Sequence, residues 1–264
     1  MNAWARVLSV SAGRARRRPA QAPVSWGSVV AVVAAVGLAA SFAGAAAATD
    51  EKARPHNDPK NTYTVMRVEG WTVRVSARYD GAEALRDRVL DEVRAQLRRI
   101  TMLVNPEPLA ELRKVEIWVE RDYPKRCQYH DDATWLRENG YLPEKASTVE
   151  IAKGEEFLNW QARPVLTLLH ELAHAYHDRV LGWNDPRIVK AFEDYRKSGK
   201  GDKVVRDHGR VCRHYALSNH KEYFAEMTEA YLWVNDYYPF VYGELKDVDP
   251  GGAKLLEAIW GKRR

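Results

Sequence analysis

Between residues 62 and 80 the chain reads TYTVMRVEGWTVRVSARYD, with apolar and polar side chains alternating on either side of Glu69-Gly70. A period of two is that of a strand with one face buried, and two such runs joined through a glycine predict a β-hairpin. The period then changes. Over residues 81–104 Leu85, Val89, Val93, Leu97 and Ile100 recur at helical spacing and predict an amphipathic helix. KVEIWVE (Lys114–Glu120) and STVEIA (Ser147–Ala152) predict short strands, and residues 121–146 between them read as irregular.

Helical spacing dominates the remainder of the chain. Pro164 suits a first helical turn and Gly182 the residue just past a helix end. Between them Val165, Leu168, Leu169, Leu172, Ala173, Tyr176 and Val180 share one side of a helical wheel. Pro186–Ser198 predicts a further helix, and the stretch around His208-Gly209 a second hairpin. NHKEYFAEMTEAYLWV predicts a helix opened by Ser218 or Asn219, and short helices close the chain. Strands, helix, strands, then mostly helices is an α+β order. It suggests an N-terminal α/β lobe over residues 62–146 meeting a second lobe over residues 147–264.

The first 49 residues have another pattern. Arg6, Arg14, Arg16, Arg17 and Arg18 precede any acidic residue, and the uncharged run SVVAVVAAVGLAASFAGAAAA extends from Ser28 to Ala48. A basic start, an apolar stretch and an Ala-x-Ala ending predict a signal peptide over residues 1–48. The run is also about long enough to span a bilayer, so a retained N-terminal membrane anchor is the alternative. Either way the remainder is expected outside the cytoplasm, secreted or in the cell envelope. Residues 49–61, polar with two prolines, read as a linker.

The leader alters the charge argument. The chain carries +5, but five of its 41 Lys and Arg and none of its 36 Asp and Glu lie in the leader. The remainder is balanced, which removes the electrostatic footprint of nucleic-acid binding. No nucleic-acid partner is expected, and a membrane is expected to matter only through an uncleaved anchor. In an exported protein the two cysteines, Cys127 and Cys212, are expected to form a disulfide.

Candidate chemistry is concentrated in LLHELAHAYHDRV, Leu168 to Val180. His170 and His174 lie one helical turn apart and project from one face, with Glu171 between them in sequence. This is the H-E-x-x-H pattern, in which two imidazoles bind Zn²⁺ and the glutamate takes a proton from the water the metal activates. A catalytic zinc needs a third protein ligand and one open position. His177 does not suit, because on a straight helix it lies about two turns, ~10 Å, along the axis from His170. It is expected to line the cleft or support the ligands. Asp178, one turn from His174, is the candidate to orient that imidazole.

A second helix offers carboxylates. EYFAE places Glu222 and Glu226 one turn apart. Asn219-x-x-Glu222 is also a capping-box spacing, so a purely structural role for Glu222 stands beside the ligand role. Tyr223, Phe224, Ala225, Met227, Ala230 and Tyr231 predict a largely buried helix. A buried carboxylate needs a partner, and a metal is one. Glu226 is then the candidate to hold a ligand histidine in its tautomer.

HELAH combined with the downstream HYALSNHKEYFAE resembles the zinc metallopeptidase domain of the anthrax lethal factor family, which includes exported Pro-Pro endopeptidases. The resemblance covers roughly residues 147–246 and implies a zincin-like, gluzincin-type domain. It implies that Glu222, the first glutamate of the E-x-F-A-E-like segment, is the third zinc ligand. It also implies that Tyr215, seven residues earlier, assists catalysis by hydrogen-bonding the oxyanion. Residues 50–146 match nothing in that family, so toxin activity and kinase-type substrates do not carry over. The expected function is an exported zinc metalloendopeptidase acting on protein or peptide, with Glu171 as general base. The segment Ser147–Ala152 is expected to pair with an extended substrate. Two alternatives stand beside it: a zinc hydrolase acting on something other than protein, and a cell-surface protein with a structural zinc site.

Overall fold

The alternating run folds as a hairpin, with β1 (Tyr63–Val68) and β2 (Trp71–Ser76) paired antiparallel across Glu69-Gly70. The computed structural model describes residues 58–123, 127–159 and 163–264. The leader and most of the linker lie outside these residues. No helix among the described residues is long and apolar enough to cross a membrane. Strands β3 (Ile117–Val119), β4 (Cys127–His130) and β5 (Thr148–Ile151) complete a five-stranded sheet in the order β1-β2-β3-β5-β4. Its centre is parallel, β2 with β3 and β3 with β5, and β4 runs antiparallel to β5 along one edge.

One face of the sheet is apolar. Val73, Val75, Ile117, Val119, Val149 and Ile151 belong to a core shared with the helices. Helix α1 (Glu83–Leu103) contributes the stripe Val89, Val93, Leu97 and Ile100. Short helices α2 (Pro106–Leu112), α3 (Ala133–Glu138) and α4 (Gly154–Asn159) fill the connections. Then come α5 (Thr167–Tyr176) and α6 (Pro186–Ser198), succeeded by a ribbon of β6 (Val204–Val205) and β7 (Val211–Cys212). Helix α7 (His220–Leu232) is buried on all sides from Tyr223 to Leu232, and α8 (Tyr242–Val248) and α9 (Pro250–Trp260) close the fold. A helix buried on every side is a central one, here with buried carboxylates among its apolar residues. The architecture is α+β.

The structure corrects several of the sequence expectations. Residues 121–146 are not irregular throughout, since they hold β4 and α3; Asp132 caps α3 by accepting from the Thr134 and Trp135 N–H groups. A lobe boundary at 146/147 does not describe the arrangement. Strand β5, just past that point, lies between β3 and β4, and the described residues fall in one compact unit. The same placement removes the substrate-pairing role expected of Ser147–Ala152, because both edges of β5 are already paired. Finally, Cys127 and Cys212 are free thiols. Their strands belong to separate sheets.

Helix α5 starts at Thr167, three residues later than Pro164 suggests, and its cap is not local. The Leu168 N–H donates to Gln96 Oε1 of α1 at 3.0 Å, and Gln96 in turn donates to Glu92 Oε1 at 2.8 Å. The first turn of a helix leaves four N–H groups unsatisfied, and a distant side chain here takes one of them. At its other end α5 widens into a π turn, His177–Leu181, which Gly182 terminates at φ 80°. A positive φ is one that glycine adopts without steric cost.

Candidate metal centre

Leu168, Leu169, Leu172 and Ala173 pin α5 to the core and turn His170 and His174 toward α7. On α7 Asn219 caps the helix by itself, accepting from the Lys221 and Glu222 N–H groups at 2.9 Å each. The Glu222 carboxylate is thereby not needed for a capping box and reaches across to α5. His170 Nε2 lies 3.2 Å from Glu222 Oε2, His174 Nε2 lies 3.3 Å from it, and the two Nε2 atoms are 3.1 Å apart. Four ligands at ~2.0–2.1 Å in a tetrahedron have edges of about 3.3–3.4 Å. The three atoms therefore form a triangle close in size to one face of a tetrahedral zinc site, and the donor set of two imidazoles and a carboxylate suits zinc. His170, His174 and Glu222 stand together as a group able to hold a metal ion.

The electrostatics are those of a crowded, partly buried site. Burial alone pulls the His170 imidazolium down, but the Glu222 and Glu229 carboxylates outweigh it and hold its pKa well above the ordinary histidine value. Burial keeps His174 below that value. Burial raises Glu222, yet hydrogen bonds from both histidines outweigh this and hold it far below the usual carboxylate range. Glu171 does not join the triangle. Burial pushes its pKa up to about 7, against the pull of His170 and of the Tyr129 N–H. That N–H, on β4, donates to Glu171 Oε2 at 2.8 Å. A carboxyl near neutrality is suited to accepting and returning a proton.

A cavity of about 320 Å³ opens beside these groups, and His170, Glu171 and Tyr215 all line it. Tyr215, in the turn before α7, is nearly half exposed. Burial and then the Glu222 carboxylate raise its pKa, so its hydroxyl is a neutral donor near the triangle.

The expected supporting residues fare differently. Glu226 lies 3.7 Å from His170 Nδ1, outside hydrogen-bond reach, and the residue that bonds that nitrogen is Glu229 at 3.3 Å. Sequence reasoning does not single out Glu229, although Glu222, Glu226 and Glu229 at i, i+4 and i+7 share one helical face. Asp178 does not orient His174. It accepts from the Tyr129 hydroxyl at 2.7 Å, and His174 Nδ1 is buried without a partner among the described residues. The π turn is the reason: placing Asp178 one turn beyond His174 assumes a straight α-helix, and the widened turn redirects the side chain. His177 supports no ligand. It is fully buried, both ring nitrogens lack a partner among the described residues, and the rings of Trp183 and Phe224 stand 5.0 Å from it. Tyr129 is the other residue that the sequence does not reveal. It bonds Glu171 through its backbone and Asp178 through its hydroxyl, and its strand is too short to show a period.

No protein-family model, curated protein or solved structure matches this chain.

Proposed function

We propose that the protein is an exported zinc metallopeptidase with a zincin-like active site. The observation that carries the reading is the triangle of His170 Nε2, His174 Nε2 and Glu222 Oε2, with Glu171 held beside it and outside it. A closed structural site has no use for a half-buried carboxyl of raised pKa that lines a cavity next to its ligands. When bound, zinc would supply Lewis acidity, lowering the pKa of a water and polarising a carbonyl. Glu171 would take the proton of the attacking water and return it to the leaving amine. The Tyr129 N–H fixes Oε2 of Glu171 and leaves Oε1 for this work. Tyr215 would donate its hydroxyl to the oxygen that gains charge in the transition state. Glu229 would hold His170 with Nε2 facing the metal.

The substrate side of the reading rests on β4. This edge strand replaces β5 as the element able to pair with an extended peptide: its outer side carries no partner strand among the described residues, although the Tyr129 N–H there is already given to Glu171. Export rests on the basic and apolar leader.

The test is a cleavage profile of the purified protein on a proteome-derived peptide library, with a chelator and with zinc restored. Glu171→Gln should keep its zinc and lose turnover by about 10²–10⁴-fold, the usual contribution of a general base. A Glu171→Gln variant as active as wild type would return this residue to a structural role.

A further inference from the structure

A second cluster of charged side chains lies on the far face of the sheet, away from α5. Lys145, Glu120 and Glu150 have no side-chain exposure at all, and His130 has 4%. Lys145 Nζ donates to Glu150 Oε1 and, at 2.7 Å, to Glu120 Oε1. Glu120 Oε1 also accepts from the Tyr63 hydroxyl of β1 at 2.7 Å. The other oxygen of Glu150 reaches the sheet edge, where His130 Nε2 lies 2.8 Å from it and Gln128 Nε2 donates to it at 3.2 Å. A connected network thus runs from the first strand to the last.

Stability alone does not account for it. Removing charges from water is expensive, and replacing buried ion pairs with apolar side chains of similar volume is often neutral or stabilising. What the network holds is more informative. Gln128 and His130 are the two neighbours of Tyr129 in sequence, and both are held by one Glu150 oxygen. Between them the Tyr129 N–H points off the open side of β4 and donates to Glu171 Oε2 at 2.8 Å. An edge strand of four residues has a ladder on one side only, so its register and pitch are weakly held. The clamp thus holds both sequence neighbours of the amide that reaches Glu171.

We propose that the buried Glu120–Lys145–Glu150 network is a positioning device for catalysis: it fixes β4 and, through the Tyr129 N–H, the orientation of Glu171. Lys145 and Glu150 are positioning residues; neither touches the cavity that holds the reacting groups. The inference rests on the peptidase reading for its chemistry and not for its mechanics.

The test replaces the charges together, as Glu120→Leu, Lys145→Met and Glu150→Leu in one variant. A second variant, Gln128→Leu with His130→Leu, cuts only the two holds on β4 and decides the matter if the first does not fold. Three quantities are read: zinc content, kcat and KM on a cleaved peptide, and hydrogen exchange at the Tyr129 amide. The expected result is full zinc, KM within about 2-fold, kcat lower by about 10- to 100-fold and faster exchange at Tyr129, since a misplacement near 1 Å costs that order of rate. A folded variant with wild-type kcat and wild-type exchange at Tyr129 overturns the proposal. If wild type cleaves no peptide, the peptidase reading fails by itself, while the exchange measurement still decides whether the network holds the Tyr129–Glu171 bond.

Discussion

Helix spacing argues against His177 as the third partner of the H-E-x-x-H pair, and two distances in the fold favour Glu222. The Glu222 carboxylate lies 3.2 and 3.3 Å from the two imidazole Nε2 atoms, whereas His177 is sealed among Trp183, Phe224 and His220. Elemental analysis of Glu222→Ala should therefore find most of the zinc gone, and His177→Ala should retain one zinc per chain. The reverse pattern would mean that the ligand assignment is wrong. Tyr215 makes a subtler claim. A hydroxyl that meets only the developing oxyanion stabilises the transition state more than the bound substrate, so its loss lowers kcat with little change in KM. Tyr215→Phe should cost ~10²–10³-fold in kcat, the range for one oxyanion donor, with zinc content and thermal stability unchanged. Wild-type turnover in that variant would make Tyr215 an ordinary rim residue.

At the scale of elements, three pieces of secondary structure divide the work. Helix α5 carries two of the proposed ligands and the proposed base, α7 the third proposed ligand and its acidic neighbours, and β4 the amide that reaches that base. The amphipathic stripes of α1 and α5 and the alternation of β1 and β2 are legible in the sequence because each buries one face only. Strand β4 is not, because four residues, Cys127–His130, succeeded by Asp131-Asp132 carry no readable period. The motif histidines can be named from spacing, Glu222 is a candidate from spacing and burial pattern, and Tyr215 is named only through the family resemblance. Their supports cannot, since Asp178 is misplaced by assuming a straight helix and α7 is buried on every side, which hides the face that matters. Spacing within α7 still yields a prediction. Glu229→Gln keeps the size of the side chain but removes the carboxylate from His170 Nδ1, and loss of such a partner typically weakens metal binding by about 10–100-fold. A chelator-competition titration should show that loss in Glu229→Gln and none in Asp178→Asn. Equal affinities for Glu229→Gln and wild type would remove Glu229 from the centre.

For the molecule as a whole, the buried histidines contribute to its response to acid. Burial lowers the pKa of His177 and of His214 from 6.5 to about 3 each. Both are neutral in the fold, while the unfolded chain protonates them below about pH 6.5. Unfolding therefore takes up protons in that range, and stability falls as pH falls. Their contribution is fully present above pH 6.5 and is lost progressively towards pH 3. Thermal melts of the metal-free protein from about pH 8 down to about 4 should show this slope. His177→Phe, which fits among the surrounding rings, should flatten it. An unchanged slope in that variant would show that His177 is protonated in the fold.

The cap of α5 has a consequence for modularity. The helix proposed to bind the metal begins on a hydrogen bond to Gln96, 72 residues upstream, on a helix that shares none of the proposed chemistry. The stretch holding every proposed ligand is thus not a transplantable cassette. Grafted onto another scaffold, or cut free of residues before 147, it would arrive with the right side chains and an uncapped first turn beneath them. A designer moving this site would have to bring α1 along or write a new cap, and lineages that shuffle segments would have to inherit both halves together.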